Sequence, residues 1–149
     1  MPRIVRAMRR DGEYPRVGAS KGELGAMIGP GHGNDLSMNA AGLVLPKTGG
    51  MSVSPTWRDL PAHRIPRRLQ TLCSKAAGKN EMHCWQFGEG AFIAGPVSEM
   101  LFLRPDQLAH GVVEPDHEMP AQEYQAALAA TRERWSLVAE TVETNEVQA

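Results

Sequence analysis

The alternation of apolar and polar residues predicts a chain of short strands that ends in a helix. Segment 3–8 alternates with period two, which places Ile4, Arg6 and Met8 on one face of a first strand. Further strands are expected at 82–87, 92–93, 100–103 and 108–115. The clearest helix is predicted at 120–142. Its apolar stripe consists of Tyr124, Ala127, Leu128, Trp135, Val138 and Val142.

Glycine and proline divide the rest of the chain. Segment 13–34 is a glycine-rich loop with at most a short helix at 21–28, and it is placed to cover a site. A second short helix is expected from Pro66 to about residue 73, because proline suits a first helical position. His63 and Arg64 form a cationic pair on a rigid turn between two prolines. This pair either belongs to a functional site or simply caps local carbonyls.

These elements predict a compact α+β fold with a mainly antiparallel sheet, short helices and a long C-terminal helix. The strands do not alternate with long helices, which argues against a doubly wound sheet. With 149 residues the chain suits a single domain, expected over 1–142, followed by a frayed tail at 143–149.

A paired-glycine turn leads into one of the strands. The run Thr48-Gly49-Gly50 is followed by Met51-Ser52-Val53, in which Ser52 points away from its two apolar neighbours. Adjacent glycines permit positive φ angles and the close approach of another group. The run is thus either an ordinary junction between a loop and a strand or the floor of a binding site.

Charge is divided between the two halves of the chain. Residues 1–79 hold 13 Lys and Arg against 5 Asp and Glu, whereas residues 80–149 hold 3 against 12. Within one domain this division predicts a basic face suited to a phosphate-bearing ligand, a nucleic acid or an acidic protein. An equal alternative is that the charges of the two halves pair with each other.

The cysteines and histidines do not follow any metal-site pattern. Cys73 and Cys84 lack C-x-x-C spacing, and the histidines are not spaced as ligands, so we expect no metal and no disulfide. The chain has no apolar run of membrane-spanning length and no Sec-type signal. We therefore expect a cytoplasmic protein without a membrane partner, and any export would use a non-Sec route.

Four polar residues on predicted strands are candidates for chemistry. Arg6 lies on an apolar strand face, where it must pair with a carboxylate or bind an anion. Ser52 either orients a sugar hydroxyl or forms a local hydrogen bond. His110 and Glu114 share one strand face and form either a polar site or a surface pair.

These motifs together resemble a known family. Arg6 in Ile4-Val5-Arg6-Ala7-Met8, the Gly42-Leu43 and Pro46-x-Thr48-Gly49-Gly50-x-Ser52-Val53 runs, and His110-x4-Pro115-x3-Met119 before Tyr124 are similar to the small cytotoxic effectors of type VI secretion. Those interbacterial toxins have an ADP-ribosyltransferase-like fold.

The resemblance implies an ADP-ribosyltransferase-like β core and NAD as substrate. It gives Arg6 the role of the first-strand cation, and Ser52, with Thr48, Gly49 and Gly50, the role of the sugar-orienting strand. Glu114, with His110 beside it, takes the catalytic position, although the sequence lacks a Gln-x-Glu or Glu-x-Glu pair.

The function expected from this resemblance is a toxin that acts in the target-cell cytosol, either as an ADP-ribosyltransferase or as an NAD glycohydrolase. A cognate immunity protein is an expected partner, and the acceptor of ADP-ribose is a protein or a nucleic acid. The alternative is a non-enzymatic binding module of the same fold that engages an acidic protein or a nucleic acid.

Overall fold

The computed structural model describes residues 1–29 and 34–139. Within these residues the chain forms ten strands and one α-helix, joined by single turns of 3₁₀ helix. The strands are β1 (Ile4–Asp11), β2 (Tyr14–Pro15), β3 (Leu43–Val44), β4 (Met51–Val53), β5 (Met82–Phe87), β6 (Gly95–Ser98), β7 (Leu101–Gln107), β8 (His110–Pro115), β9 (Met119–Pro120) and β10 (Ser136–Val138), and the helix is α1 (Ala121–Ala129).

The strands form two four-stranded antiparallel sheets and one two-stranded ladder. The first sheet has the order β10–β5–β1–β2 and the second the order β4–β8–β7–β6, while β3 pairs with β9. The two large sheets meet at a bridge between Val5 of β1 and Ser54, which follows β4. Val5 and Ser54 exchange two backbone hydrogen bonds of 2.7 and 2.9 Å. The fold is therefore α+β with antiparallel sheets, as expected.

The first sheet is buried on both faces. Ile4 and Met8 pack in one apolar cluster, while Val5 and Ala7 pack in a second cluster on the opposite face. Because every position of β1 from Ile4 to Met8 is buried, an arginine in this strand has no route to bulk solvent along the sheet. Arg6 must therefore find its partners inside the protein.

The prediction of a long helix at 120–142 is wrong. Helix α1 ends at Ala129, a 3₁₀ turn follows at Arg132–Arg134, and Ser136–Val138 form strand β10 against β5. The side chain of Thr131 explains the break, because its hydroxyl donates to Leu128 O at 2.7 Å and accepts from Trp135 Nε1 at 2.9 Å. These bonds fold the chain back, so that Trp135 packs against Phe87 at 5.4 Å between ring centroids.

Helix α1 nevertheless packs on the second sheet through the residues expected. Tyr124 and Leu128 are buried in the main apolar cluster, which Trp135 joins from beyond the helix. The Tyr124 hydroxyl accepts from Met51 N at 3.0 Å and donates to Val113 O. Val142 of the predicted stripe and the tail at 143–149 lie outside the described residues.

Other boundaries also differ from expectation. The short strand expected at 92–93 is wrong, because that segment forms a bend with Ile93 65% exposed, and β6 begins at Gly95. The helix expected from Pro66 is a single 3₁₀ turn at Arg67–Leu69, and 21–28 contains no helix. Strand β8 begins at His110, since Leu108 is fully exposed in the preceding turn.

Candidate functional site

A cavity of about 160 Å³ opens at the junction of the two sheets. Arg6 of β1 and Ser52 of β4 line one side, and His110 contributes from the start of β8. Asp35, the His63–Arg64 turn, Lys21 and Ser54 supply the rest of the polar lining. The structure thus brings together three of the residues singled out in the sequence, which lie up to 104 positions apart in the chain.

Arg6 forms the inner wall of the cavity and is 4% exposed. Its Nε donates to Glu23 O at 3.1 Å and its Nη1 to Ser52 O at 2.8 Å. Its Nη2 donates to Ser20 O and to Gly25 O, each at 3.3 Å. Four of the five N–H groups of a guanidinium are therefore used by backbone carbonyls, which leaves one for a ligand.

Burial of Arg6 affects its charge. Burial lowers the pKa of Arg6 to about 10, while the negative charge of Asp35 opposes that shift. The guanidinium is thus still charged at neutral pH. Of the two alternatives for Arg6, pairing with a carboxylate is not found among the described residues, because the loop at 20–25 and strand β4 supply carbonyl oxygens to its guanidinium instead.

The Gly49-Gly50 turn brings two backbone segments together next to the cavity. Gly49 has φ of 136°, and a side chain there would meet Asp35 O. A side chain at Gly50 would meet Val113 O of β8, and Gly50 N donates to Asp35 O at 3.0 Å. The glycines thus allow Asp35 and β8 to approach, and they lie beside the cavity rather than in its lining.

Thr48 and Ser52 have different environments. Thr48 is exposed, and its hydroxyl donates to Leu45 O at 2.7 Å, so it supports the turn. Ser52 is half-buried, pairs with Val112 of β8 and lines the cavity. Among the residues of this turn that were assigned to the ligand, Ser52 is the one in the lining.

Glu114 lies apart from the cavity. Its Oε2 accepts from Arg104 Nε at 3.1 Å and from Lys47 N at 2.6 Å, and the residue is 4% exposed. His110 lines the cavity, and its Nδ1 bonds Asp106 Oδ1 at 2.6 Å. The two residues are four positions apart along the strand, or roughly 13 Å between their Cα atoms, so they do not act on the same atom of a substrate.

Asp35 is the functional candidate that the sequence reasoning missed. Its Oδ2 accepts from Met27 N at 2.9 Å and its backbone N donates to Met27 O at 2.9 Å. Its Oδ1 has no hydrogen bond with the described residues, and Asp35 is the one carboxylate among the described residues that line the cavity. No spacing rule marks it, because it follows the glycine-rich run directly and precedes no predicted strand.

The His63–Arg64 turn also lines the cavity. Arg64 Nη1 donates to Lys21 O at 3.0 Å, which attaches the turn to the 20–25 loop. Burial lowers the pKa of Arg64, and the charge of Asp35 opposes this shift. The cationic pair noted in the sequence therefore contributes directly to the cavity.

No model of a known protein family matches this chain, and no curated protein matches it at a significant level of similarity. Helices capable of crossing a membrane are absent from the part of the chain that the structure describes. Within the same residues, His, Cys, Asp and Glu do not gather into any group of three or more that would hold a metal ion.

The balance of charge in the cavity favours an anionic ligand with hydroxyl groups. Arg6, Lys21 and Arg64 carry positive charge, against the single carboxylate of Asp35. Cationic groups of this kind bind phosphate oxygens, and a carboxylate with an open oxygen accepts hydrogen bonds from ribose hydroxyls. Ser52 supplies a further hydroxyl, and His63 and His110 supply ring nitrogens.

Proposed function

We propose that this chain binds NAD in the cavity between β1 and β4 and cleaves the bond between nicotinamide and ribose. The observation that carries the proposal is the convergence of Arg6, Ser52 and His110 on one polar cavity that also holds Asp35 and Arg64. A dinucleotide offers phosphates for the cations and ribose hydroxyls for the carboxylate and the serine. The cavity therefore has groups suited to the phosphates and to the ribose hydroxyls of the ligand.

Cleavage of the nicotinamide–ribose bond builds positive charge on the ribose. A fixed carboxylate near that carbon stabilises this charge more strongly in the transition state than in the ground state. We assign this role to Asp35, which lines the cavity and whose Oδ1 has no hydrogen bond with the described residues, while Met27 N holds its Oδ2 at 2.9 Å. Ser52 would orient the ribose by hydrogen bonding to a hydroxyl.

The role that the resemblance gave to Glu114 passes to Asp35 in this proposal. An ion pair with Arg104 at 3.1 Å already neutralises the Glu114 carboxylate, and the residue is absent from the cavity lining. A compensated carboxylate stabilises a developing cation less than an uncompensated one does. In our account Glu114 holds the 47–50 turn through Lys47 N.

In our proposal the main role of Arg6 is to hold the walls of the cavity in place. Its four bonds to carbonyl oxygens keep the 20–25 loop against β4, and its remaining N–H is available to a ribose or phosphate oxygen. Lys21 and Arg64, at the open side, would bind the pyrophosphate.

The biological role proposed follows from the resemblance to type VI secretion effectors. In that role the chain is a toxin with an ADP-ribosyltransferase-like core, it acts in the cytosol of a target cell, and an immunity protein protects the producer. The two antiparallel sheets, joined beside the cavity at the Val5–Ser54 bridge, support such a core. Other α+β folds share this arrangement. The competing function is a binding module that arrests growth by holding a partner.

Expression in the bacterial cytosol separates these two functions. We expect the wild-type chain to arrest growth and to raise free nicotinamide in cell extracts, and Asp35→Asn to abolish both effects. Asp59→Asn is the matched control, because Asp59 bonds Thr56 at 2.7 Å outside the cavity. Growth arrest that persists in Asp35→Asn without nicotinamide release would instead support the binding module.

A further inference from the structure

A row of cationic side chains leads away from the cavity along one side of the molecule. Lys21, His63 and Arg64 line both the cavity and an adjoining hollow of about 310 Å³, which Arg9 and Lys79 also line. Lys79 also lines a third hollow of about 190 Å³, together with Arg67. We call the five cationic side chains along these hollows, Arg9, Lys21, Arg64, Arg67 and Lys79, the basic trough.

Most of the charge in the basic trough is not compensated. Within residues 1–29 and 34–139, no carboxylate lies within 4.0 Å of the charged atoms of Lys21, Arg64, Arg67 or Lys79. Arg9 is the exception, since it pairs with Glu81 at 3.1 Å. Elsewhere several arginines are paired in the same way: Arg16 with Glu23, Arg104 with Glu114 and Arg132 with Asp11. Unpaired cations in one row are suited to binding an external anion.

Hydrogen bonds fix the backbone segments that carry Arg67 and Lys79 of the basic trough. Arg68 donates from its backbone N to Asn80 Oδ1 at 2.8 Å and from Nη2 to Met82 O at 3.0 Å. Arg67 N donates to Gly78 O at 3.1 Å, which connects the two sides of the third hollow. Arg67 and Lys79 are therefore presented from fixed backbone while their side chains remain exposed.

The surroundings of the basic trough favour a nucleic-acid strand over an acidic protein. Protein interfaces have an apolar centre, yet the large exposed apolar side chains of the described residues line none of these hollows; they are Met1, Val17, Met38, Ile93 and Leu108. A phosphodiester strand needs little more than cations along a groove. The row also continues into the cavity, whereas a separate anion site would be isolated from it.

We propose that the basic trough binds the phosphodiester backbone of a single-stranded nucleic acid and leads one nucleotide to the cavity as the acceptor of ADP-ribose. This inference rests on the proposed function for its chemical step. In that step an oxygen or ring nitrogen of the nucleotide forms a bond to the anomeric carbon of the ribose. The bond from that carbon to nicotinamide breaks, nicotinamide leaves with the electron pair, and the displaced acceptor proton passes to solvent.

Binding of a fluorescent single-stranded RNA of about 20 nucleotides, followed by anisotropy over a range of salt concentrations, tests the site without any catalysis. The double variant Arg67→Glu/Lys79→Glu should weaken binding about tenfold or more and lower the slope of log Kd against log salt by about 1.4, the loss expected for two phosphate contacts on a single strand. The control Lys75→Glu/Arg134→Glu makes the same charge change outside the basic trough and should bind RNA like the wild type. Arg68 is left intact because it holds the backbone.

Two outcomes would overturn the proposal: RNA affinity unchanged in the trough variant, or an equal loss in the control variant. Unchanged RNA affinity together with a loss of affinity for NAD would assign these cations to the dinucleotide. A transfer assay with labelled NAD and the same RNA then tests the acceptor role. If RNA binds through the trough but the wild type releases no nicotinamide, the proposed NAD cleavage fails, whereas nicotinamide release without labelled RNA rejects the acceptor.

Discussion

Arg6 connects three separate parts of the chain through one buried side chain. Its guanidinium bonds carbonyl oxygens of the 20–25 loop and of Ser52, while its own strand pairs with β5. No lysine can reproduce this, because an ammonium has three donors on a single atom and lacks the planar fork. The shape of the cavity therefore depends on the arginine itself.

We expect Arg6→Lys to lower the free energy of unfolding by about 2–4 kcal/mol, because buried carbonyls lose their donors. Urea unfolding followed by tryptophan fluorescence measures this change. Arg10→Lys is the control, since Arg10 is exposed and its side chain donates, among the described residues, to Gly12 O alone. A loss for Arg6→Lys no larger than that of the control would contradict the role given to this residue.

Glu114→Gln separates a structural carboxylate from a catalytic one. The variant retains an oxygen for Lys47 N but loses the ion pair with Arg104. We expect a stability loss of about 1–2 kcal/mol and a rate of nicotinamide release within about threefold of the wild type. Chemical denaturation and a nicotinamide assay on the same preparation give both values. A rate reduced as much as in Asp35→Asn would return the catalytic role to Glu114.

Among the elements, the segment after α1 shows how one buried hydroxyl ends a helix. Thr131 is 3% exposed and bonds both Leu128 O and Trp135 Nε1. Thr131→Val conserves shape and leaves the indole N–H buried without its partner, which should cost about 1–3 kcal/mol. Thermal unfolding of Thr131→Val beside Thr71→Val, at an exposed threonine, measures the effect. Equal melting temperatures for the two variants would remove this explanation for the helix end.

The elements that sequence pattern predicts well are those with local signals. Strand β5 has the bounds expected, β1 and β8 overlap the expected segments, and Pro120 marks the start of α1. The stripe through Trp135 and Val138 continues at helical spacing, yet pairing with the open edge of β5 determines the outcome there. Such long-range pairing is not visible in a local window.

The candidate site was predictable to a similar degree. Arg6, Ser52 and His110 carry chemical signals within their own strands, and they meet in the cavity. Asp35 lies in a loop without periodicity, and its position depends on hydrogen bonds with Met27 N and Gly50 N, which no apolar pattern indicates. Glu114 shares a strand with His110, but the pairing of β7 with β8 brings Arg104 to it and directs it elsewhere.

At the scale of the whole molecule, one histidine should make stability depend on pH. Burial lowers the pKa of His83 below its usual value of 6.5, and the charges of Arg68 and Arg10 add to the shift. The unfolded chain then binds a proton near pH 6 that the folded chain does not, so stability is complete above about pH 6.5 and declines as the pH falls toward the folded pKa. His83→Gln should reduce the decrease in melting temperature between pH 7 and pH 5, which a thermal-shift series measures. An unchanged slope would show that other groups cause it.

The division of charge along the sequence also reappears in the folded molecule. The basic trough is built from residues of the first half, between Arg9 and Lys79, and most of its cations are not paired with the acidic second half. The expected basic face therefore has a counterpart in the basic trough, which adjoins the cavity. Lys21 and Arg64 belong both to the basic trough and to the cavity lining, so in our proposal a polyanion in the trough reaches the opening of the cavity.

The central claim is that the cavity between β1 and β4 cleaves NAD, and free nicotinamide released by the purified chain tests it most directly. Chromatography should detect nicotinamide from NAD with the wild type and with Asp59→Asn, and a rate at least about 100-fold lower with Asp35→Asn, in line with the loss of one major transition-state contact. Absence of nicotinamide release by the folded wild-type chain, with and without added cell lysate, would contradict the account.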